Sequence, residues 1–267
     1  MPFANRPGAR IHYTVEGQGE PLLLISGLGA QAIEWPRAFV VALAQCFSVV
    51  RIENRGIGRS LCAVADWTLK DMADDVCGVM DSLGYTSAHI LGISMGGMIA
   101  QRIALDYPER VRRLVLMATA FGGRETLPPE PRGMAMLSGF PGVPVGEARR
   151  RSLTAITAEG FAEGHPDVID ELARLREITP TPAQVFSTQF RAIVGDDRSS
   201  SVRDIARPTL VVHGQSDPLI PSQNGVMLAQ RIAGAKLCLL EGCGHLPHIE
   251  KPRETTDVVL EFLAEAS

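Results

Sequence analysis

The stretch Ala88-His89-Ile90-Leu91-Gly92-Ile93-Ser94-Met95-Gly96-Gly97-Met98-Ile99-Ala100 decides the fold. Its first half is a short apolar run, the pattern of a strand buried on both faces. Its second half has helical spacing, with Met98, Ile99 and Ile103 on one side and Gln101 and Arg102 on another. Between the halves lies Gly92-x-Ser94-x-Gly96. A strand that becomes a helix within one or two residues must bend sharply. The residue at the bend is pushed into a strained backbone conformation, and its side chain stands clear of both elements. Glycine at 92 and 96 leaves out side chains that would collide with backbone. Ser94 also stands at a helix N-terminus, where free N–H groups and the dipole favour negative charge. A serine displayed in this way reads as a nucleophile beside half of an oxyanion hole.

Outward from this turn, apolar strand patterns alternate with helical ones. Strands are expected at 10–16, 22–25, 47–52, 114–118, 208–213 and 236–240. Helices are expected at 35–46, at 68–83 with Thr68 as N-cap and Gly84 as stop, and from the elbow to just before Pro108. Two more are expected at 221–232 and 252–264. The alternation breaks at Gly122-Gly123. A Pro- and Gly-rich segment follows, then helical stretches near 147–159, 166–177 and 182–194, without any buried-strand pattern. The reading is an α/β fold with a mostly parallel, doubly wound sheet. Residues 1–121 and 204–267 form its core, and 122–203 form an inserted helical cap. Ligands bind such sheets at the carboxyl ends of the strands. The glycine-rich or polar loops at 26–29, 53–60, 94, 214–217 and 242–245 all follow strands and gather at that edge.

Composition narrows the function. The 267 residues are 45% hydrophobic, enough for a sizeable core, and the net charge is −4 with no long basic run. Nucleic acid is therefore not an expected partner. Cys46, Cys62, Cys77, Cys238 and Cys243 are odd in number and lack C-x-x-C spacing, so neither a zinc site nor a disulfide framework is expected. The N-terminal residues lack a signal-peptide apolar region, and no apolar run approaches a membrane span. The expected location is the cytoplasm, the expected partner a small-molecule substrate, and the oligomeric state stays open.

A serine nucleophile needs a base to take its proton and a third group to orient that base. His213-Gly214-Gln215-Ser216-Asp217-Pro218 puts a carboxylate in a turn after a strand. Gly242-Cys243-Gly244-His245 puts a histidine in the loop after the last strand. The chain order Ser94, Asp217, His245 on alternating strands and helices resembles the α/β-hydrolase family. The resemblance covers nearly the whole chain outside the insertion. Gly92-Ile93-Ser94-Met95-Gly96 matches the family's nucleophile elbow. Asn54-Arg55-Gly56-Ile57-Gly58-Arg59-Ser60 looks like its structural loop, with Glu53 where Asp is usual. Gly244-His245, followed by Glu250 and Pro252, resembles its histidine segment. One departure is Ser26-Gly27 after the first buried strand, where His-Gly is common.

The resemblance implies acyl transfer by Ser94, His245 and Asp217, with the backbone N–H groups of Leu28 and Met95 as the oxyanion hole. It implies no metal and no organic cofactor. Carboxylic esters and lactones, including enol-lactones, lead the substrate classes. Carbon–carbon bond hydrolysis, cofactor-free peroxidase chemistry and a non-catalytic receptor are the alternatives. His248 is a rival base, Glu125 a rival acid and His213 a packing or supporting residue. Trp35, Phe121, Met134, Met136, Phe140, Phe161 and Phe186 stay open between pocket lining and ordinary core.

Overall fold

The computed structural model describes residues 2–63 and 66–265. The N-terminal part runs β1 (Phe3–Arg6), β2 (Ala9–Glu16), β3 (Glu20–Ile25), α1 (Arg37–Ala44), β4 (Phe47–Ile52), β5 (Leu61–Cys62) and α2 (Leu69–Ser82). Then come β6 (Ala88–Ile93), α3 (Met95–Asp106) and β7 (Val111–Met117). Five helices follow without a strand among the described residues: α4 (Pro131–Ser138), α5 (Val145–Ile156), α6 (Phe161–Gly164), α7 (Pro166–Ile178) and α8 (Ala183–Val194). The chain closes with β8 (Thr209–Gly214), α9 (Ser222–Arg231), β9 (Lys236–Leu240), α10 (Pro247–Glu250) and α11 (Pro252–Ala264).

These strands form a nine-stranded sheet in the order β1-β2-β4-β3-β6-β7-β8-β9, with β5 beside β2. All pairings from β4 to β9 are parallel. Those of β2 with β1, β4 and β5 are antiparallel. The connections diverge at β3 and β6, which pair with Ile25 opposite Gly92. The loops that leave these two strands therefore flank the switch point where such sheets bind ligands.

Strand periodicity distributes the core between two layers. Leu23, Ile25, Ile90 and Val211 pack on one face, while Leu22, Leu24, Leu91 and Val212 pack on the other. Helices α2 and α3 touch each other, as do α1 and α11. Each such fully buried aliphatic side chain contributes roughly 1.5–3 kcal/mol. Helix α2 starts as its sequence predicts. Thr68 Oγ1 accepts from Asp71 N–H at 3.2 Å, and the Asp71 carboxylate accepts from Thr68 N–H at 2.8 Å, a reciprocal cap. Gly84, with φ of 72°, ends it.

Five short elements escape the sequence reading: β1, β5, α4, α6 and α10. Strand β1 pairs with β2 through a two-residue Pro7-Gly8 turn in which Gly8 takes φ of 68°, the geometry proline then glycine favours. Helix α4 lies within the Pro/Gly-rich segment. Pro131 is in its first turn, where a missing N–H costs nothing. Helices α6 and α10 have four residues each, too few for periodicity to register. No helix among the described residues is long and apolar enough to cross a membrane.

Candidate active site

Ser94 occupies the bend between β6 and α3 with φ of 55° and ψ of −122°. Such a conformation costs roughly 1–3 kcal/mol and persists only where surroundings impose it. Here the end of β7 and the first turn of α3 do so. Ser94 N–H donates to Met117 O at 2.9 Å, and Ser94 O accepts from Thr119 Oγ1 at 2.7 Å and from Gly97 N–H at 2.9 Å. A Cβ on Gly92 would overlap the Gly96 carbonyl, and one on Gly96 would overlap the Ile25 carbonyl. Only glycine lets β6, α3 and β3 approach this closely.

The loop after β3 crosses the elbow. A Cβ on Gly27 would lie 3.1 Å from Ser94 Cβ. Ser26, which stands in place of the commoner histidine, is anchored by other partners. Its Oγ accepts from Trp35 Nε1 at 3.0 Å and its carbonyl from Asn54 Nδ2 at 3.0 Å. Gly29 is held at both ends of the residue by the helical insertion. Its N–H donates to Gln189 Oε1 at 2.9 Å, and its carbonyl accepts from Thr181 Oγ1 at 2.9 Å. Leu28 and Met95 both border the cavity above Ser94. Met95 opens α3, so its N–H has no acceptor within the helix.

Asp217 and His245 come together from their separate loops. His245 Nδ1 lies 2.8 Å from Asp217 Oδ2, and both side chains are buried. With Nδ1–H donating to the carboxylate, Nε2 is the ring's basic nitrogen. Asp217 Oδ1 accepts from the N–H groups of Leu219 and Ile220, each at 2.9 Å. His213 Nε2 is 3.2 Å from Asp217 Oδ2 and donates to Ile220 O at 2.8 Å. Burial alone would raise the Asp217 pKa, but His245 and the hydrogen bond from His213 outweigh it and hold it at about 2. Asp217 is thus a carboxylate throughout the physiological range.

The histidine loop is tied to the insertion as well. His245 N–H donates to Ile156 O at 2.8 Å. The buried Glu250 carboxylate accepts from the N–H groups of Ala158, Gly244 and Leu246 at 2.7, 2.8 and 2.9 Å. Ser94 and His245 share the wall of one cavity of about 330 Å³, roofed by residues of α4, α5, α7 and α8.

The family model for the alpha/beta hydrolase fold matches residues 20–252. The chain belongs to the alpha/beta hydrolase family. It is 34% identical over 271 residues to 2-hydroxymuconate semialdehyde hydrolase of Pseudomonas sp. strain CF600, covering 97% of this chain and 92% of that protein. Among solved structures it resembles the enol-lactonase of Burkholderia xenovorans LB400, with TM-score 0.86, 27% identity and coverage of 99% of this chain and 100% of that one. It also resembles the meta-cleavage product hydrolase of Pseudomonas fluorescens IP01, with TM-score 0.85, 29% identity and coverage of 100% and 98%.

The rival residues of this alpha/beta hydrolase have other surroundings. Glu125 is exposed and pairs with Arg231. His248 borders the cavity but packs on Trp35, with ring centroids 4.9 Å apart. Burial, reinforced by the nearby His245, lowers its pKa to about 3 and leaves it neutral. Arg55 makes a buried two-pronged pair with Asp75 at 2.6 and 2.7 Å, as a structural-loop residue would. Of the seven residues left open between pocket and core, Trp35, Met134 and Met136 border the cavity. Gln189, Thr181, Thr119 and Glu250 support the site without any motif in the sequence to mark the first three.

Proposed function

We propose that this hydrolase cleaves carboxylic esters and lactones of small molecules through an acyl-enzyme. The observation that carries the reading is the buried His245–Asp217 pair at 2.8 Å, whose histidine lines the same cavity as the strained Ser94. His245 Nε2 takes the proton as Ser94 Oγ attacks the carbonyl carbon. Asp217 holds the tautomer and stabilises the imidazolium. The N–H groups of Leu28 and Met95 stabilise the oxyanion, each donor worth roughly 3–4 kcal/mol of barrier. His245 returns the proton to the leaving oxygen. Water activated by the same nitrogen then releases the acid. Residues 122–203 serve as the cap that closes the pocket and excludes bulk water.

Carbon–carbon bond hydrolysis is the second reading, favoured by the 34% identity to 2-hydroxymuconate semialdehyde hydrolase. A panel of p-nitrophenyl esters, lactones and a vinylogous diketone separates the two. Ester or lactone turnover is expected to dominate and to vanish in Ser94→Ala. A fluorophosphonate is expected to label Ser94. Label on another residue, or full activity in Ser94→Ala, refutes the mechanism.

A further inference from the structure

The cavity wall carries more information than the triad. Its surface is mostly apolar, with Met98, Leu153, Ile156 and Phe190 among the lining side chains. The two histidines aside, Glu34 and Arg176 are the only charged residues among the described ones that line it, and they neutralise each other. Arg176 Nε donates to Glu34 Oε2 at 2.8 Å, while Glu34 Oε1 accepts from Gln31 N–H at 2.8 Å. Glu34 is 8% exposed. A substrate carboxylate brought to Arg176 would meet the Glu34 carboxylate beside it, and would lose its water without gaining a net cation. His248 supplies no charge either, because burial keeps it neutral.

Part of the apolar lining is also exposed. Leu127, Met134 and Val194 border it while being 41%, 44% and 69% exposed. They come from the segment before α4, from α4 itself and from the end of α8. Apolar side chains that line a cavity and are also exposed form its lip, a surface that contacts apolar ligand. A chain attached to the reacting carbonyl can extend from Ser94 between the sulfur-containing and aliphatic walls and emerge across this lip.

We infer that the substrate is an uncharged ester or lactone whose acyl part is an aliphatic chain of about six carbons or more, and that acyl groups ending in a carboxylate are rejected. This rests on the serine-hydrolase reading above. It narrows that reading to one class of acyl group, selected by burial of apolar area and by the cost of stranding an anion beside Glu34.

The test uses the full-length protein and three probes: p-nitrophenyl acetate, p-nitrophenyl hexanoate and the mono-p-nitrophenyl ester of adipic acid. The last has the same chain length as hexanoate with a terminal carboxylate. The expected kcat/KM for hexanoate exceeds that for the adipate monoester by about 100-fold or more, and that for acetate by about 10-fold. Val194→Asp and Leu127→Asp each lower the hexanoate-to-acetate ratio several-fold. Glu34→Gln, which leaves Arg176 uncompensated, narrows the gap between hexanoate and the adipate monoester by about 10-fold. An adipate monoester turned over as well as hexanoate overturns the inference, as does a hexanoate-to-acetate ratio indifferent to both lip variants. Fluorophosphonate labelling of Ser94 tells the two failures apart. A labelled Ser94 with acetate turnover leaves the hydrolase reading standing while the acyl-chain inference falls. An unlabelled Ser94, with ester turnover unchanged in Ser94→Ala, removes both.

Discussion

Two imidazoles and two backbone N–H groups converge on the Asp217 carboxylate. Their effect is electrostatic and geometric at once. They keep the group ionised in a buried site, and they fix which oxygen faces His245. Asp217→Asn retains the shape but permits the wrong histidine tautomer. The expected loss is about 10²–10⁴ in kcat with KM nearly unchanged, by analogy with the same change in another serine hydrolase. Steady-state kinetics of Asp217→Asn beside Glu125→Gln decide it, and collapse of the Glu125 variant alone would reassign the acid. His248 links stability to pH. Its folded pKa is about 3 against roughly 6.5 in an unfolded chain. Between those values the unfolded state binds the proton and the folded state does not. The stability His248 contributes by staying neutral is therefore complete above about pH 6.5 and is lost as pH falls. At pH 5 the loss is about 2 kcal/mol, or roughly 4–8 °C in Tm. His248→Phe keeps an aromatic ring against Trp35 and removes this proton linkage. Its Tm relative to wild type is expected to rise by that amount between pH 7.5 and pH 5. A Tm difference that is the same at both pH values refutes it.

At the scale of elements, the clamp on Gly29 links α8 and the segment just before it to the loop carrying the Leu28 N–H. Gln189 and Thr181 reach across 160 and 152 positions of sequence to hold one residue. On the mechanism proposed above they are positioning residues, because an oxyanion donor must sit within hydrogen-bond distance of an atom that becomes charged only in the transition state. Gln189→Met keeps volume and removes the acceptor, and Thr181→Val removes the donor. Each is expected to lower kcat by about 10-fold or more. Affinity for a boronic acid, which mimics the tetrahedral state, should fall in parallel while KM changes little. Thr181→Ser should restore both. Loss of Tm in step with kcat, with boronate affinity intact, would mean that the contacts support folding alone.

At the scale of the whole molecule, the sheet and the insertion differ in how deeply they are buried. Every residue of β6 is buried, whereas Gly133 is the one buried residue of α4. Amides with little buried apolar surface around them open locally, and those in a two-sided core open only with global unfolding. Hydrogen exchange in α4 is expected to be faster than in β6 by orders of magnitude. A substrate-like boronic acid should slow it, since α4 residues line the cavity. Equal protection of α4 and β6 in the free protein would rule out the insertion as a moving lid.

The sequence by itself determines the alternation of strands and helices, the sharp turn at Ser94 and the loops that carry Asp217 and His245. Each of these is written in a window of a few residues. Apolar runs of strand length, glycines two residues either side of a serine, and polar residues directly after a strand all constrain the local backbone. The short elements at 3–6, 61–62, 161–164 and 247–250 fall below what periodicity can register, although Pro7-Gly8 marks the first, and the prolines and glycines around 131–138 hide α4. Only the tertiary structure decides the contacts made across long separations. These include Glu250 on the Ala158 amide and the clamp on Gly29. It also decides the pairing of Glu34 with Arg176, 142 positions apart, and with it the charge of the pocket. No local pattern can announce them. A glutamine, a threonine or an ion pair acquires its role from what packing sets beside it, and packing is settled by the core as a whole.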